Sequence, residues 1–523
     1  MNLDILLLRL SRFPLWRAVE YWRQQGLAAL FDRAFAKLKR ETPVSGADAF
    51  YHRWTERHQR LSWLDRRRIK RHIARMPSPP VVSIRLYGDG PKERSLASLR
   101  AQLYQHWELD AERAEWVGYL RNGDQLSPHA IYMMVTAALA NPGCALIYSD
   151  EDVLAADGAR SHPYFKPDWN RELFLSRSYI DKFCLIRRDL APEGWPTPDL
   201  LRPIVEGQVI HVPEPLYHAA RYETVEARRV HYPLPDPKPL VSVIIPTRDR
   251  LNLLRNCVDG LLDKTDYPAL EIIIVDNDSA QSETVAYFRE MTERGVKVLK
   301  YSGEFNFSAM NNLAAREAKG SVLAFLNNDI EIIEENWLTE MVGHALRPDV
   351  GAVGAKLYFP DDTIQHAGVV LGLFRMAGHV YHHLPRTTPG NADELLLCRE
   401  VSAVTAACMV ARRDLFLEVG GFDAIDLKVA FNDVDLCLKM RAAGYRIIWT
   451  PYAELYHHES ATRGSELDPE NISREKHERR VMRQRWGAKL DRDPFYNPNL
   501  SVTNAWCTLA NRPRTIKPWR LNG

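Results

Sequence analysis

Polar side chains follow four apolar segments in the C-terminal half of the sequence, at the points where predicted strands end. The segments are VSVIIP, EIIIV, VKVLKYSGEF and VLAFL, and they are followed by Thr247, Arg248 and Asp249; Asp276, Asn277 and Asp278; Asn306; and Asn327, Asn328 and Asp329. The carboxyl ends of parallel strands meet at one edge of a sheet, so we expect one crevice rich in carboxylates and amides. Such oxygen ligands suit a hydrated Mg²⁺ or Mn²⁺ ion shared with a substrate diphosphate.

Other phosphate-binding chemistries fit this pattern poorly. P-loops and dinucleotide sites need a glycine-rich turn after the first strand, and the turn from Pro246 to Asp249 contains no glycine. Each aspartate taken alone also suits a turn or a helix cap. Because four successive strand ends carry such residues, we favour the binding site.

A further carboxylate stands in the segment AFNDVDLCLKM, near the start of a predicted amphipathic helix. If this helix borders the crevice, Asp433 could take a proton from an incoming hydroxyl group. The alternative is a helix N-cap, for which Asn432 or Asp433 is also well suited.

The segment LYHHESATRG supplies the remaining candidates. A histidine could complete a metal shell, and Arg463 could hold two oxygens of a diphosphate. His457 and His458 are adjacent on an extended segment and therefore point to opposite faces. Only one of them can be a metal ligand, and the sequence leaves open which one.

The elements that position these residues form a regular series. After VSVIIP, helices are predicted near 251–262, 282–294 and 309–318, and the strands EIIIVD, VKVLKY and VLAFL alternate with them. This alternation predicts an α/β fold with a doubly wound, mostly parallel sheet. Proline-rich joints divide the chain into a basic helical segment at 1–78, a first α/β domain at 79–236, a second at 237–470 and a tail at 471–523.

The two α/β domains resemble each other. Both begin with a strand that opens with Val-Ser and a β-branched apolar residue, VSI in the first and VSV in the second, and both continue to a segment that ends in aspartate, LRNGD in the first and LNND in the second. Between these features lie 33 positions from Gly88 to Arg121, but 81 from Pro246 to Asn327. We therefore expect the first copy to be truncated and to lack the second and third strands, where a doubly wound fold binds a nucleotide.

Composition excludes several classes of protein. With 523 residues and 46% hydrophobic content the chain can fill two or three domain cores. The longest uncharged apolar stretch, 401–411, has 11 residues, whereas a membrane-spanning helix needs about 18. Seven cysteines without a CxxC pair argue against a disulfide framework or a zinc ribbon, so we expect a reduced, cytoplasmic setting.

Charge is unevenly distributed although the total is only +2. Residues 1–76 hold 17 Lys and Arg against 7 Asp and Glu, so the remainder of the chain is acidic. This basic, aromatic-containing arm could lie on the anionic inner face of a membrane as a peripheral contact; the alternative is a helical domain with a solvated charged face. The acidic balance of the main domains argues against binding to nucleic acid.

The ordered motifs from residue 241 to about 464 resemble inverting glycosyltransferase family 2, especially its rhamnosyltransferase-like members. They include VSVIIPTRDR, IIIVDNDS, FNFSAMNNLAAREAKG, LAFLNNDIE, QHAGVVLG, FNDVDLCLKMRAAGYRIIWTP and LYHHESATRG. The resemblance implies a GT-A-type fold. The first domain is similar to the N-terminal transferase domain of tandem members, in a degenerate form.

The resemblance also implies roles for individual residues. Asp433 corresponds to the general base, Asp329 and His457 to metal ligands, and Arg463 to a diphosphate-binding residue. The nucleotide-binding positions are Pro246, Thr247, Arg248, Asp249, Asp276, Asp278, Asn306, Asn311, Asn327 and Asn328. The acceptor-binding positions are Asn432, Asp435 and Trp449. Two departures stand out: Asn327 replaces the first acid of a DXD motif, and Asn432 stands where many relatives have glutamate.

The function implied is transfer of a sugar from a nucleotide-diphosphate donor, with dTDP-rhamnose as the favoured guess. The acceptor would be a hydroxyl of a bacterial surface glycan or a lipid-linked glycan, as in O-antigen, lipopolysaccharide or capsule assembly. The cofactor would be Mg²⁺ or Mn²⁺. Two alternatives stay open: a bifunctional enzyme with two active transferase domains, and a carbohydrate-binding scaffold without turnover.

Overall fold

The computed structural model describes residues 47–180, 182–194, 197–223, 227–458 and 469–521. The helices are α1 (Ala47–His58), α2 (Trp63–Ala74), α3 (Lys92–Arg100), α4 (Ala130–Ala140), α5 (Arg171–Ser176), α6 (Pro198–Leu201), α7 (Leu251–Asp263), α8 (Ser282–Glu293), α9 (Phe307–Glu317), α10 (Trp337–Ala345), α11 (Arg413–Glu418), α12 (Asn432–Ala442), α13 (Pro469–Trp486) and α14 (Pro518–Leu521). The strands are β1 (Val82–Tyr87), β2 (Trp107–Leu109), β3 (Trp116–Arg121), β4 (Gln125–Leu126), β5 (Cys144–Leu154), β6 (Arg160–Tyr164), β7 (Cys184–Arg187), β8 (Gln208–Ala219), β9 (Val241–Thr247), β10 (Leu270–Asp276), β11 (Lys297–Lys300), β12 (Val322–Leu326), β13 (Ile330–Ile332), β14 (Val350–Tyr358), β15 (Ile364–His366), β16 (Val369–Leu371), β17 (Ala377–His379), β18 (Arg399–Glu400), β19 (Cys408–Arg412) and β20 (Arg446–His457).

The chain folds into two compact units. The first unit contains residues 1–166, 180–224 and 497–523, and the second contains 167–179 and 225–496. The predicted segment 1–78 is described only from residue 47, where α1 and α2 lie; its first 46 residues are outside the described part. Within the described residues, no helix combines the length and the apolar character needed to cross a membrane.

The second unit is built on a ten-stranded sheet in the order β11-β10-β9-β12-β19-β14-β20-β13, with β15 beside β14 and β18 beside β20. Six strands, β9 to β12, β14 and β20, run in one direction, and β19 runs against them. All seven residues of β9 are buried, as expected for a parallel strand covered on both faces. The predicted fold class, a mostly parallel doubly wound α/β sheet, is confirmed.

The helices of the second unit cover the sheet through apolar faces. In α7, Leu254, Cys257, Val258 and Leu261 are buried and recur at intervals of three and four residues. They pack in one core with the inward side chains of β9, β10 and β12. The sheet is therefore held rigidly, and its carboxyl edge is a fixed platform for the loops that follow.

The first unit repeats this sheet in shorter form. Its strand order is β2-β1-β3-β7-β5-β8-β4, with β6 beside β5, and each strand has a counterpart at the same place in the second sheet. One expectation was wrong: the second strand is retained as β2, which pairs in parallel with β1 over three residues. Among the described residues of this unit there is no counterpart of β11, α8 or α9, and the four-residue helix α6 stands between β7 and β8, where α12 stands between β19 and β20.

The C-terminal residues 497–521 pack with the first unit. Asn497 donates from Nδ2 to both carboxylate oxygens of the fully buried Asp150, at 3.0 and 2.9 Å. The indole nitrogen of Trp519 donates to Asp65 at 2.8 Å. The end of the chain therefore completes the core of the first unit instead of forming a separate body.

Candidate active site

The carboxyl ends of three neighbouring strands bring together the first group of candidate residues. Asp276 at the end of β10 lies opposite Thr247 at the end of β9 in the register of the sheet. Asn328, which follows β12, donates from Nδ2 to Thr247 Oγ1 at 2.9 Å. Pro246 is buried within β9, and Arg248 is exposed directly after it. The predicted convergence of these strand ends is therefore present in the structure.

Asp249 connects the loop after β9 to the loop after β10. One oxygen of its carboxylate accepts the backbone N–H groups of Ala280 and Gln281 at 3.0 and 2.9 Å. Its own N–H donates to Ser279 Oγ at 2.8 Å. Asp249 has a positive φ of 51°, which these bonds help to hold. The carboxylate thus shapes the rim of the crevice, and a nucleotide contact by Asp249 stays a prediction.

The other acids of the second loop are also partly engaged. Asp276 accepts from the backbone N–H of Ser279 at 2.9 Å. Asp278 accepts from the N–H of Gly303 at 3.1 Å and from the hydroxyl of Ser302 at 2.9 Å. These hydrogen bonds, the one from Gly303 first, lower the pKa of Asp278. Asp278 therefore ties the loop after β10 to the loop after β11.

Asn306 and Asn311 hold helix α9 at the edge of the sheet. Asn306 caps the helix, because its side-chain oxygen accepts the N–H of Ala309 at 2.9 Å, and its Nδ2 donates to Ala424 O at 2.8 Å. Asn311 is fully buried and donates to Phe307 O at 2.8 Å. The side-chain amide of each asparagine donates to a backbone carbonyl of the protein. Nucleotide contacts by Asn306 and Asn311 therefore stay predictions.

Asp329 and His457 form the candidate metal pair. Strand β13 pairs with β20 so that Ile330 lies opposite His457, which places the preceding Asp329 against the imidazole ring. His457 Nε2 and Asp329 Oδ1 are 3.1 Å apart, and both side chains are buried. His458 instead turns to Glu331, with 2.9 Å between His458 Nε2 and the carboxylate. Of the two adjacent histidines, His457 is the one that faces Asp329.

The hydrogen bonds of His457 fix which ring nitrogen is available. Its Nδ1 donates to Gln365 Oε1 at 2.7 Å, and its Nε2 lies 3.1 Å from Nδ2 of Asn327. With the hydrogen on Nδ1, the Nε2 lone pair lies on the side of Asn327 and Asp329, where it can accept from the Asn327 amide or bind a cation. In an octahedral Mg²⁺ site with bonds of roughly 2.1 Å, two adjacent ligand atoms are about 3 Å apart. The 3.1 Å between His457 Nε2 and Asp329 Oδ1 therefore fits a divalent cation.

Asp433 lies at the same end of the sheet. It stands in the first turn of α12, and its Oδ2 accepts the N–H of Ala406 at 3.2 Å. The next residue, Ala407, accepts the N–H of Asn327 at 3.0 Å. Asp433 and the Asn327–Asp329 triplet are therefore bonded to two consecutive residues of the segment that enters β19. A single site that contains the carboxylates of both Asp329 and Asp433 stays a prediction.

The three predicted acceptor residues lie in the interior. Trp449 is fully buried, and its indole donates to Ala355 O at 3.1 Å. Asn432 is 3% exposed and donates to Ser308 Oγ at 3.1 Å, while Asp435 has no exposed surface. All three side chains are bonded within the protein, and acceptor contacts by them stay predictions. Arg463, the predicted diphosphate ligand, lies outside the described residues.

In the first unit, an aspartate and a histidine occupy the positions that correspond to Asp329 and His457, but they bond to other residues. In its sheet Gln125 lies opposite His218, so Asp124 and His218 occupy the register of Asp329 and His457. His218 bonds instead to Asp152 and Ser127, at 2.6 and 2.8 Å.

Asp124 in turn is occupied by donors of its own unit. Its carboxylate accepts from the hydroxyl of Tyr217 and from the N–H of Ala220, the latter at 2.7 Å. Asp124 and His218 therefore each bond to other partners, and nothing in their arrangement matches the cation pair of the second unit.

Sequence reasoning missed several residues that shape the site. Gln365 lies within the motif QHAGVVLG but was not singled out, and the backbone groups of Ala406 and Ala407 carry no sequence signal at all. Glu478 of α13 accepts the N–H of Val429 at 2.9 Å, ahead of the helix that carries Asp433. The residue type alone does not reveal such support, which depends on which segments meet in space.

The sheet order and the acidic edge define a GT-A-type α/β domain. Residues 242–420 match the sequence model described as Glycosyl transferase family 2. The chain therefore contains a glycosyl transferase family 2 domain.

Curated relatives cover more of the chain. The uncharacterized protein y4gI of Sinorhizobium fredii is 40% identical over 447 residues, 75% of this chain and 49% of the relative. The O-antigen biosynthesis protein RfbC of Myxococcus xanthus is 37% identical over 452 residues, 77% of this chain and 35% of the relative. The O-antigen chain rhamnosyltransferase RfbN of Salmonella typhimurium is 24% identical over 224 residues, 42% of this chain and 67% of the relative. The chain thus spans about half or less of the length of the first two relatives.

Proposed function

We propose that the chain is an inverting glycosyltransferase that moves a sugar from a nucleotide-diphosphate donor to a hydroxyl group of a glycan or lipid-linked acceptor. One observation carries this proposal. Asp433 and the Asn327–Asp329 triplet bond to the consecutive residues Ala406 and Ala407. A candidate general base and a candidate cation site therefore share one end of the sheet, as a single displacement reaction requires.

The chemistry follows from these positions. The carboxylate of Asp433 accepts the proton of the acceptor hydroxyl while that oxygen attacks the anomeric carbon. The new carbon–oxygen bond forms on the face opposite the diphosphate, whose bond to the sugar breaks, so the configuration inverts. Asp329 and His457 would hold Mg²⁺ or Mn²⁺, and such a cation, when bound, balances the charge on the departing diphosphate. Thr247 and Asp276 would border the nucleotide.

The finer assignments rest on resemblance and on the names of relatives. Relatives named for O-antigen biosynthesis and for rhamnose transfer support a surface glycan as the product and dTDP-rhamnose as the donor. We place the protein in the cytoplasm, with a peripheral contact between its basic N-terminal segment and the inner face of the membrane. One active unit per chain is favoured over two, because Asp124 and His218 each bond elsewhere.

Replacing the candidate base tests the proposal. A panel of dTDP, UDP and GDP sugars is first screened with the wild-type chain for transfer and hydrolysis. Asp433→Asn is then expected to lower turnover by about 100-fold or more, the usual contribution of a general base, while binding of the nucleotide sugar survives. Asp414→Asn, at an exposed carboxylate of the same unit, is the control.

The outcomes separate the alternatives. Near wild-type turnover of Asp433→Asn would remove Asp433 from its role, and no turnover with any donor would favour a binding scaffold. Two different linkages in the product, one of which persists in Asp433→Asn, would show two active units. Transfer that is indifferent to EDTA would exclude a cation at Asp329.

A further inference from the structure

Helix α13 presents one face to the loop that precedes α12. Glu478, Met482, Arg485 and Trp486 recur at intervals of three and four residues and therefore lie on the same side of the helix. Glu478 is 1% exposed, and its carboxylate accepts the backbone N–H of Val429 at 2.9 Å. Met482 is fully buried. The face is therefore buried at Glu478 and Met482 and partly exposed at Arg485.

The last turn of α13 is bonded to α12 itself. Arg485 donates from Nη1 to Asp435 Oδ1 at 2.9 Å and from Nη2 to Asp423 Oδ2 at 2.7 Å. Trp486 Nε1 donates to the same oxygen of Asp435 at 2.9 Å. A fully buried carboxylate is costly without such donors, so Asp435 anchors α12 to α13. Asp435 follows Asp433 by two residues on this helix.

The start of α12 depends on support from outside the helix. Phe431, the residue before it, has a positive φ of 60°, and its side chain makes no capping hydrogen bond. A non-glycine residue in this conformation persists only when the surroundings hold it. The guanidinium group of Arg479, on α13, lies 5.4 Å from the centre of the Phe431 ring. Residues at two places on α13, 478–479 and 485–486, therefore contact the segment from Val429 to Asp435.

We infer that α13 is a positioning element for the candidate base: Glu478, Arg485 and Trp486 hold the first turn of α12 so that Asp433 stays bonded at Ala406. This inference rests on the proposed role of Asp433. None of the three residues touches the reacting atoms in this scheme. Replacing any of these three residues would move the carboxylate of Asp433 from its position but would not remove it.

The test uses a matched pair of variants at Glu478 in the full chain. Glu478→Gln keeps an oxygen that accepts from the loop, and burial raises the pKa of Glu478, so the neutral amide is a close substitute. Glu478→Leu removes the acceptor at similar size. We expect Glu478→Leu to lower kcat by about 10- to 100-fold, the loss that a misplacement of about 1 Å can cause, with an unchanged Kd for the donor. Glu478→Gln should restore kcat.

A second measurement keeps the test independent of turnover. Hydrogen exchange of residues 428–436 should accelerate in Glu478→Leu and in Arg485→Lys, which loses one of the two donors. If exchange accelerates but kcat is unchanged, the inference is overturned. It is also overturned if kcat and the affinity for the donor fall together, because that result indicates general unfolding. If the wild-type chain transfers no sugar, the proposed function fails, whereas unchanged exchange in both variants shows that α13 does not hold the loop.

Discussion

Gln365 is the support on which the candidate metal pair depends. It lies in β15, 3% exposed, and its side-chain oxygen accepts the Nδ1 hydrogen of His457 at 2.7 Å. This bond leaves Nε2 facing Asp329, 3.1 Å away. Gln365→Leu keeps the approximate size of the side chain but leaves a buried N–H without its acceptor. The imidazole is then free to turn or to exchange its proton between the two nitrogens.

The magnitude follows from the cost of that unpaired donor. Leaving a buried N–H unsatisfied costs about 1–3 kcal/mol. With about 1.4 kcal/mol for each tenfold change in an equilibrium constant, Mn²⁺ affinity should fall by roughly 5- to 150-fold. Loss of an outer-shell partner of a metal-bound histidine typically weakens metal binding by about 10- to 100-fold, so the two estimates agree.

Electron paramagnetic resonance of free Mn²⁺ during a titration measures this affinity directly and needs no substrate. Gln365→Glu, which keeps an oxygen acceptor, is the control and should bind Mn²⁺ at least as well as the wild type. Thermal unfolding of both variants verifies that the fold is intact. If folded Gln365→Leu binds Mn²⁺ with wild-type affinity, Gln365 does not orient a metal ligand and the assignment of His457 fails with it.

Two further predictions concern the first unit: its Asp124 should not bind Mn²⁺, and its Glu214 should contribute to stability in a defined pH range. Asp329→Asn should abolish Mn²⁺ binding whereas Asp124→Asn leaves it unchanged, because the Asp124 carboxylate is already occupied by internal donors; a titration that finds two Mn²⁺ ions per chain would contradict this. Burial alone would raise the pKa of Glu214, but the ion pair with Lys517 outweighs it and the pKa falls to about 2. Because the folded pKa is depressed, this stabilisation is present above about pH 4.5 and is lost as the pH falls towards 2, and it is worth about 3 kcal/mol. The drop in unfolding temperature between pH 5 and pH 3 should therefore be smaller in Glu214→Gln, and an equal drop in both proteins would refute the assignment.

The secondary structure of the second unit could be predicted closely from the sequence. The predicted helix at 251–262 is α7 (Leu251–Asp263), and the predicted helix at 282–294 is α8 (Ser282–Glu293). Long apolar, β-branched runs between amphipathic helices leave little ambiguity. The first unit was harder, because its second strand, which was expected to be missing, is β2, a strand of only three residues. Three residues are too few to show the two-residue alternation of apolar and polar side chains that identifies a strand.

The site could be predicted in outline but not in its hydrogen bonds. The spacing of polar residues after strands correctly placed Thr247, Asp276, Asn328 and Asp329 at one edge, since sheet topology alone brings them there. The pattern does not show whether a carboxylate remains available or is bonded to a neighbouring loop, as Asp249 is. A ligand-binding role and a loop-bonding role both favour aspartate at the end of a strand. Only the three-dimensional contacts distinguish them.

The two units show why a motif at a strand end does not define a site. Both sheets place an aspartate and a histidine in the same register, Asp124 with His218 and Asp329 with His457. In the first unit, the histidine bonds to Asp152, and the helix between β7 and β8 is the four-residue α6, whereas α12 has eleven residues. A carboxylate saturated by internal donors has little capacity left for a cation. The two units therefore share a sheet and differ in the helices and loops around it.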